Sequence, residues 1–336
     1  VHLMFQTEII IFIQSFSSDF LTNFFKFWTT IGYPSYITVF LIIILFGIKF
    51  REGFILTHAV LWTTIITTFF KNLFALPRPA NVDLNVKLLG ESCPNLTPFE
   101  SMGAENFWGR LPQEVVEALR IHPIDSWGFP SGHTSNAAAT WGLLAMMFKK
   151  KWIRIVSIGM IVFIPFSRIY LGRHFLADIM GGYLIGWMMA FVFYGFVFRN
   201  RRIIDLFYST SSLVKWNRKI LILLVYLFLL PFLLLFVPHI PADFIAILLG
   251  LNGGFLIIWR RGIPKDDGSF IQRTARAFIA IGFYFGTDQG LEATHRLFFQ
   301  SEPEVASLLR MALTAFFLMW GSTELSIKLG LFKRES

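Results

Sequence analysis

Residues 152–170 read WIRIVSIGMIVFIPFSRIY, and residues 175–198 read FLADIMGGYLIGWMMAFVFYGFVF. As helices, both runs are long enough to cross a hydrocarbon layer of roughly 30 Å. Neither alternates polar and apolar residues as a barrel strand would. Working outward, comparable runs occupy about 31–49, 54–74, 134–149, 219–238, 241–259, 274–288 and 304–327. Over all 336 residues the chain is 55% hydrophobic and 15% charged, with a mean hydropathy of +0.60. A water-soluble domain carries nearer 25% charged residues. The expected fold is therefore all-α: a polytopic transmembrane helical bundle of about nine spans. Water-soluble enzyme, DNA-binding protein and disordered linker are excluded. The net charge of +9 reads as membrane orientation rather than nucleic-acid binding, because the basic residues sit in short clusters between apolar runs.

Those clusters are Lys49/Arg51, Lys149/Lys150/Lys151/Arg154, Arg199/Arg201/Arg202 with Lys215/Arg218/Lys219, Arg260/Arg261/Lys265/Arg273/Arg276, and Lys328/Lys333/Arg334. With nine spans all fall on one side, which the positive-inside rule makes cytoplasmic. The N-terminus is then outside and the C-terminus inside. The opposite side carries the long 75–133 segment, where four basic residues face seven acidic ones, together with the 168–175 turn and the 288–303 loop. Within the long segment Leu111–Arg120 has helical periodicity. Residues 1–30 mix Gln6, Glu8, Gln14, Asp19 and Lys26 with Phe and Ile. They read as an interfacial amphipathic segment in preference to a tenth span. They lack the order of a cleavable signal peptide, so the first span is expected to stay in the mature chain. The organisation expected is 1–30 interfacial, 31–198 a membrane core and 199–336 a C-terminal region of about four spans. A single cysteine, Cys93, excludes an intramolecular disulfide and a cysteine-based metal site.

Polar residues at a membrane edge are costly and tend to mark function. Three blocks of them lie on the outer side: Lys71 with Arg78-Pro79; Pro130-Ser131-Gly132-His133 opening a span; and Ser167-Arg168, Arg173-His174 and Asp178 bridging two spans. Lys71, Arg78 and Arg168 can surround a group carrying about two negative charges, the arginines bidentately. Ser131 is a good N-cap, and Gly132 lets an anion approach the free N–H groups of a helix start. His174 and Asp178, four apart, share a helix face. The carboxylate can then hold one imidazole nitrogen and leave the other free to attack. His133 supplies a second imidazole, placed to protonate a leaving group. Taken singly, each block has an ordinary structural reading: an interfacial His, headgroup-anchoring arginines, a plain helix start. Their order and their shared membrane face point to one site.

Together these residues resemble the three-part signature of the type 2 phosphatidic acid phosphatase (PAP2) superfamily, KxxxxxxRP, PSGH and SRxxxxxHxxxD, which the chain matches at every fixed position over roughly residues 55–198. The resemblance implies a metal-independent, cofactor-free phosphatase acting on a lipid phosphate, monoester or pyrophosphate, through a phosphohistidine. It implies His174 as nucleophile, Asp178 as its orienting partner and His133 as general acid. Lys71, Arg78, Ser131, Gly132 and Arg168 would hold the phosphoryl oxygens. Activity is expected to survive EDTA and to be inhibited by vanadate. The implied partners are a lipid phosphate and membrane lipids, and no nucleic acid. The location read from the short loops and lone cysteine is a bacterial inner membrane, with the site facing the periplasm. A phosphotransferase or lipid synthase using the same histidine stays open, as does a lipid transporter. The four C-terminal spans have no counterpart in six-span bacterial members, and neither the oligomeric state nor the lipid is specified. The outer residues Asp288, Gln289, Glu292, His295 and Arg296 read as a solvated connector, with a border of the substrate entrance as the alternative.

Overall fold

Apolar runs in lipid must satisfy their backbone internally, and the computed structural model, which describes residues 4–91, 94–121, 126–200, 218–298 and 304–334, is helical over most of each run. No strand occurs among the described residues; a single bridge pairs Pro264 with Arg334. The helices are α1 (Glu8–Ser15), α2 (Asp19–Ile31), α3 (Pro34–Ile48), α4 (Phe50–Phe74), α5 (Pro79–Val82), α6 (Gln113–Ile121), α7 (Gly132–Phe148), α8 (Lys151–Tyr170), α9 (Leu176–Phe198), α10 (Ile220–Leu234), α11 (Ala242–Arg261), α12 (Phe270–Phe298) and α13 (Glu304–Lys328). Cys93 and the basic residues Arg201, Arg202 and Lys215 lie outside the described residues.

The expected count of nine spans is not reproduced. Among the described residues five helices are long and apolar enough to cross a membrane: Phe50–Val82, Lys151–Tyr170, Leu176–Phe198, Ala242–Arg261 and Glu304–Lys328. A sixth exists if α2 and α3, bent by 53° across Gly32-Tyr33, form one broken span. The shortfall has identifiable reasons. α7 has 17 residues, a rise of about 25 Å. α10 is also short. α12 carries Arg273, Arg276, Asp288, Glu292 and Arg296 along 29 residues, too polar for a plain span. The 288–303 connection is corrected as well, because α12 continues through residue 298. There Arg310 pairs with Asp288 and Glu292, and Arg296 pairs with Glu292.

The chain divides into two compact units, residues 1–37 with 62–192, and residues 38–61 with 193–336. The division is thus not the linear one expected: residues 38–61 join the C-terminal region. In that second unit Phe46, Phe50, Phe54, Leu251, Phe255 and Met319 form a buried core. His58 Nε2 faces Asn252 Oδ1 at 2.8 Å, and Asn252 donates to the Leu227 carbonyl at 2.7 Å. Arg334 is held by Glu324 at 2.7 and 2.8 Å.

The first unit carries the site. α7 ends on Lys149 in a left-handed conformation (φ 50°), so α8 begins within two residues and packs back antiparallel. Inside α8, Pro165 has no N–H to give the Ile161 carbonyl, and the Tyr183 hydroxyl of α9 donates to that carbonyl at 2.6 Å. α9 approaches α7 closely through glycine: a Cβ on Gly182 would lie 2.7 Å from the Ser131 carbonyl oxygen. Small residues allow such backbone contact where lipid offers no hydrophobic drive. Residues 1–30 also belong here. Phe5 and Ile10 are buried with Val82, Val86, Val115, Phe129 and Phe175. The buried Gln14 side chain donates to the Lys87 and Tyr170 carbonyls at 2.8 and 3.0 Å and accepts from the Lys87 N–H at 2.9 Å. Reading 1–30 as a separate interfacial segment misses this packing, since polar Gln14 serves the backbone of Lys87 and Tyr170 rather than water.

Gly182→Ala should therefore lower the melting temperature in detergent, at a cost of about 1–3 kcal/mol. Gly159→Ala, where a Cβ meets nothing within 4 Å, should stay within about 0.5 kcal/mol of the parent. Equal melting temperatures would refute the close contact.

Candidate active site

The site is built where four helix ends meet. Lys71, in the last turn of α4, donates from Nζ to the carbonyls of Trp127 at 2.7 Å and Gly128 at 3.2 Å. The Gly128 N–H donates to the Leu76 carbonyl at 2.7 Å. These bonds strap the 126–131 stretch to the end of α4. Arg78 precedes a proline and is extended (φ −93°, ψ 163°), as the proline ring demands. Its Nε donates to the Ser126 carbonyl at 2.8 Å, and its Nη2 to the Ser126 hydroxyl at 3.0 Å.

Ser131 is the N-cap of α7, but its hydroxyl caps no backbone group; it instead accepts from Thr134 Oγ1 at 3.1 Å. Its N–H donates to the Asp178 carbonyl at 2.9 Å, tying the start of α7 to the start of α9. At Gly132 the nearest atom to an added Cβ is Lys71 Cε, at 3.9 Å, so the helix start is open on the lysine side. His133 follows, with Nε2 buried and without a hydrogen-bond partner.

Arg168 closes α8. Its carbonyl accepts from the N–H groups of Arg173 at 2.8 Å and His174 at 3.3 Å, and this folds the turn that delivers the nucleophile candidate. His174 Nδ1 lies 3.0 Å from Asp178 Oδ2, which also accepts from the Phe175 N–H at 2.9 Å. The carboxylate thus fixes the tautomer with Nδ1 protonated and leaves Nε2 as the lone-pair nitrogen. Both residues are buried, at 2% and 0% exposure. Burial and the nearby Arg78, Lys71 and Arg168 charges hold the His174 imidazole well below its ordinary pKa, so it is uncharged at neutral pH. A nucleophile needs that form.

All eight residues singled out from the sequence are brought together. His133, Lys71, Arg78 and Arg168 each act electrostatically on His174, with Asp178 bonded to it. Arg173, adjacent to His174, turns away and pairs with Glu91; Ser167 returns its hydroxyl to the Ile164 carbonyl at 2.6 Å. The sequence reading missed Thr29, whose hydroxyl accepts from Arg168 Nη1 at 2.6 Å, and Tyr33, whose ring stands edge-on to His133 at 5.0 Å. Their only signal was the Gly32-Tyr33-Pro34 break. Also missed were the carbonyls that hold Lys71. Chemically the site offers guanidinium and ammonium donors, one oriented neutral imidazole and a second imidazole with an unsatisfied nitrogen. That set suits a tetrahedral anion. Among the described residues no group of three or more His, Cys, Asp or Glu is placed to hold a metal ion.

Comparison with known proteins agrees with this chemistry. Residues 52–202 match the family model of the PAP2 superfamily. The chain is 27% identical over 148 residues to phosphatidylglycerophosphatase B of Bacillus subtilis, covering 40% of this chain and 72% of that protein. It is 33% identical over 94 residues to undecaprenyl-diphosphatase BcrC of the same organism, covering 27% and 46%. It is 32% identical over 68 residues to lipid A 4'-phosphatase of Bacteroides thetaiotaomicron, covering 20% and 30%. Among solved structures, Aquifex aeolicus LpxE aligns with a TM-score of 0.42 at 24% identity, over 56% of this chain and 94% of that one.

Asp178→Asn keeps the shape but no longer favours the Nδ1–H tautomer of His174. Turnover should fall by about 10³–10⁴-fold, measured on protein whose melting temperature confirms folding. A loss under tenfold would remove Asp178 from the role of orienting group.

Proposed function

We propose that the chain, whose residues 52–202 match the family model of the PAP2 superfamily, is a phosphoric ester hydrolase that dephosphorylates a membrane lipid phosphate through a covalent phosphohistidine. The observation that carries the reading is the buried His174–Asp178 pair facing three cations. Lys71, Arg78 and Arg168 draw the phosphoryl oxygens in, with the Gly132 N–H at the open start of α7. His174 Nε2 attacks phosphorus as the P–O bond to the lipid breaks, and His133 gives its proton to the departing oxygen. Water then attacks phosphorus and loses a proton to His133. The P–N bond breaks, releasing inorganic phosphate and restoring neutral His174. Phosphoryl transfer asks mainly for positioning and charge stabilisation, which the cation cluster supplies.

The substrate is proposed to be a lipid because the matched relatives are named for phosphatidylglycerophosphate, undecaprenyl diphosphate and lipid A, and because the site lies at the ends of apolar helices. The site and the 75–133 segment are proposed to face the periplasm of a bacterial inner membrane. The α7–α8 connection, with Lys149, Lys150, Lys151 and Arg154, lies at the opposite helix ends, as a cytoplasmic side would. Nine membrane passages are proposed with α7, α10 and α12 as short or polar spans.

Purified protein in detergent should release inorganic phosphate from some members of a panel of lipid monophosphates and diphosphates. Release should persist in EDTA, be blocked by vanadate and fall to background in His174→Ala. Quenching with labelled substrate should trap an acid-labile, base-stable label on the parent alone. Phosphate release surviving in His174→Ala would overturn the reading. Preferential transfer of label to an added lipid alcohol would replace hydrolysis with phosphotransfer.

A further inference from the structure

We propose that the Thr29–Tyr33 bend between α2 and α3 is a positioning element for both halves of this reaction: Thr29 aims Arg168 at the phosphoryl oxygens, and Gly32 with Tyr33 holds His133 towards the leaving group. The inference rests on the phosphohistidine reading above and assigns work to a segment outside the three sequence blocks. The bend has a local cause. Pro34 restricts the residue before it, the Gly32 N–H returns to the Thr29 carbonyl at 3.0 Å, and the helix axis turns by 53°.

That turn presents one residue to each reactive group. Thr29 is buried, at 5% exposure, and its hydroxyl takes the Nη1 edge of Arg168. The opposite edge of a guanidinium, Nε with Nη2, is its bidentate fork. Arg168 Nε is buried and has no partner, the state expected of a donor kept for an anion. An arginine with one nitrogen pinned loses the rotation that would otherwise spread its fork over several directions. Tyr33 sets its hydroxyl beside the same guanidinium and its ring edge against His133. Gly32 completes the wall: a Cβ there would lie 2.7 Å from His133 Cδ2 and 2.9 Å from Ile164 Cγ2. Bare backbone is thus what permits the imidazole orientation in which Nε2 is buried and unpartnered. Thr29, Gly32 and Tyr33 are positioning residues, acting through Arg168 and His133.

The test separates the two arms and distinguishes both from loss of fold. Thr29→Val keeps the shape and removes the hydroxyl. It should lower kcat by about 10–100-fold with KM nearly unchanged and weaken vanadate inhibition in parallel, while Thr29→Ser restores both. Gly32→Ala should displace His133 and affect substrates unequally. An alkyl lipid phosphate, whose oxygen leaves only when protonated, should lose about 10²-fold or more. An aryl phosphate with an acidic phenol leaving group should lose less than about fivefold, because it needs little general acid. If Gly32→Ala does not fold, Tyr33→Leu, which removes the ring edge from His133, carries the His133 arm with the same comparison of alkyl and aryl substrates, equal losses again overturning it. Vanadate affinity and kcat both within twofold of the parent in Thr29→Val, or equal losses on the two substrates in Gly32→Ala, would overturn the proposal. His174→Ala run alongside distinguishes that outcome from failure of the underlying reading. If it retains activity on both substrates the nucleophile assignment has failed, whereas abolished activity with silent bend variants fails the positioning role alone.

Discussion

Gathering positive charge out of water is the constraint from which this site follows. Lys71, Arg78 and Arg168 converge with the Asp178 carboxyl among them, in surroundings where like charges repel strongly and desolvation is expensive. The protein offsets part of that cost with neutral acceptors. Trp127 and Gly128 carbonyls take the Lys71 ammonium, Ser126 takes Arg78 and the Thr29 hydroxyl takes Arg168. Being neutral, these acceptors do not cancel the charge they bind. On the function proposed above, a doubly charged phosphoryl group entering the cluster would relieve the remaining repulsion. Burial first, and the same field second, hold the His174 imidazole well below its ordinary pKa.

Holding that cluster together requires helix ends to be fixed to one another rather than to lipid. The Ser131 N–H bond to the Asp178 carbonyl joins α7 to α9, the Arg168 carbonyl folds the α8–α9 turn, and Gly182 lets α7 and α9 touch. Around them the 75–133 segment and α1 form a second buried cluster on the first unit. The helix ends are thereby clamped from outside the hydrocarbon layer, where hydrophobic burial against water operates as it does in a soluble domain.

Much of this was legible beforehand, for reasons that belong to particular residues. Apolar runs such as 152–170 and 175–198 can only be helices in lipid, and their positions were read to within a few residues. Charged residues at the ends of such runs are too costly to be incidental, so Lys71, Arg78, Arg168, His174 and Asp178 stood out without coordinates. Less was legible where the signal was weak. α12 mixes Arg276, Asp288 and Glu292 into an apolar helix and was divided into a span and a loop. Gln14 looked like a residue facing water because a polar side chain in sequence does not reveal that its partners are backbone carbonyls from residues 87 and 170.

The sequence by itself determined that this chain is a helical membrane protein and which side chains are candidates for its chemistry, since hydropathy and the covalent spacing of charged residues are properties of the chain. Only the tertiary structure decided what surrounds those side chains. Thr29 lies 139 positions from Arg168, and Gly32 is remote from His133. No local pattern encodes such a meeting: α2 could have faced any neighbour, and the packing of the first unit, with α2 laid along α8, chose the one that turns its bend into a wall of the site.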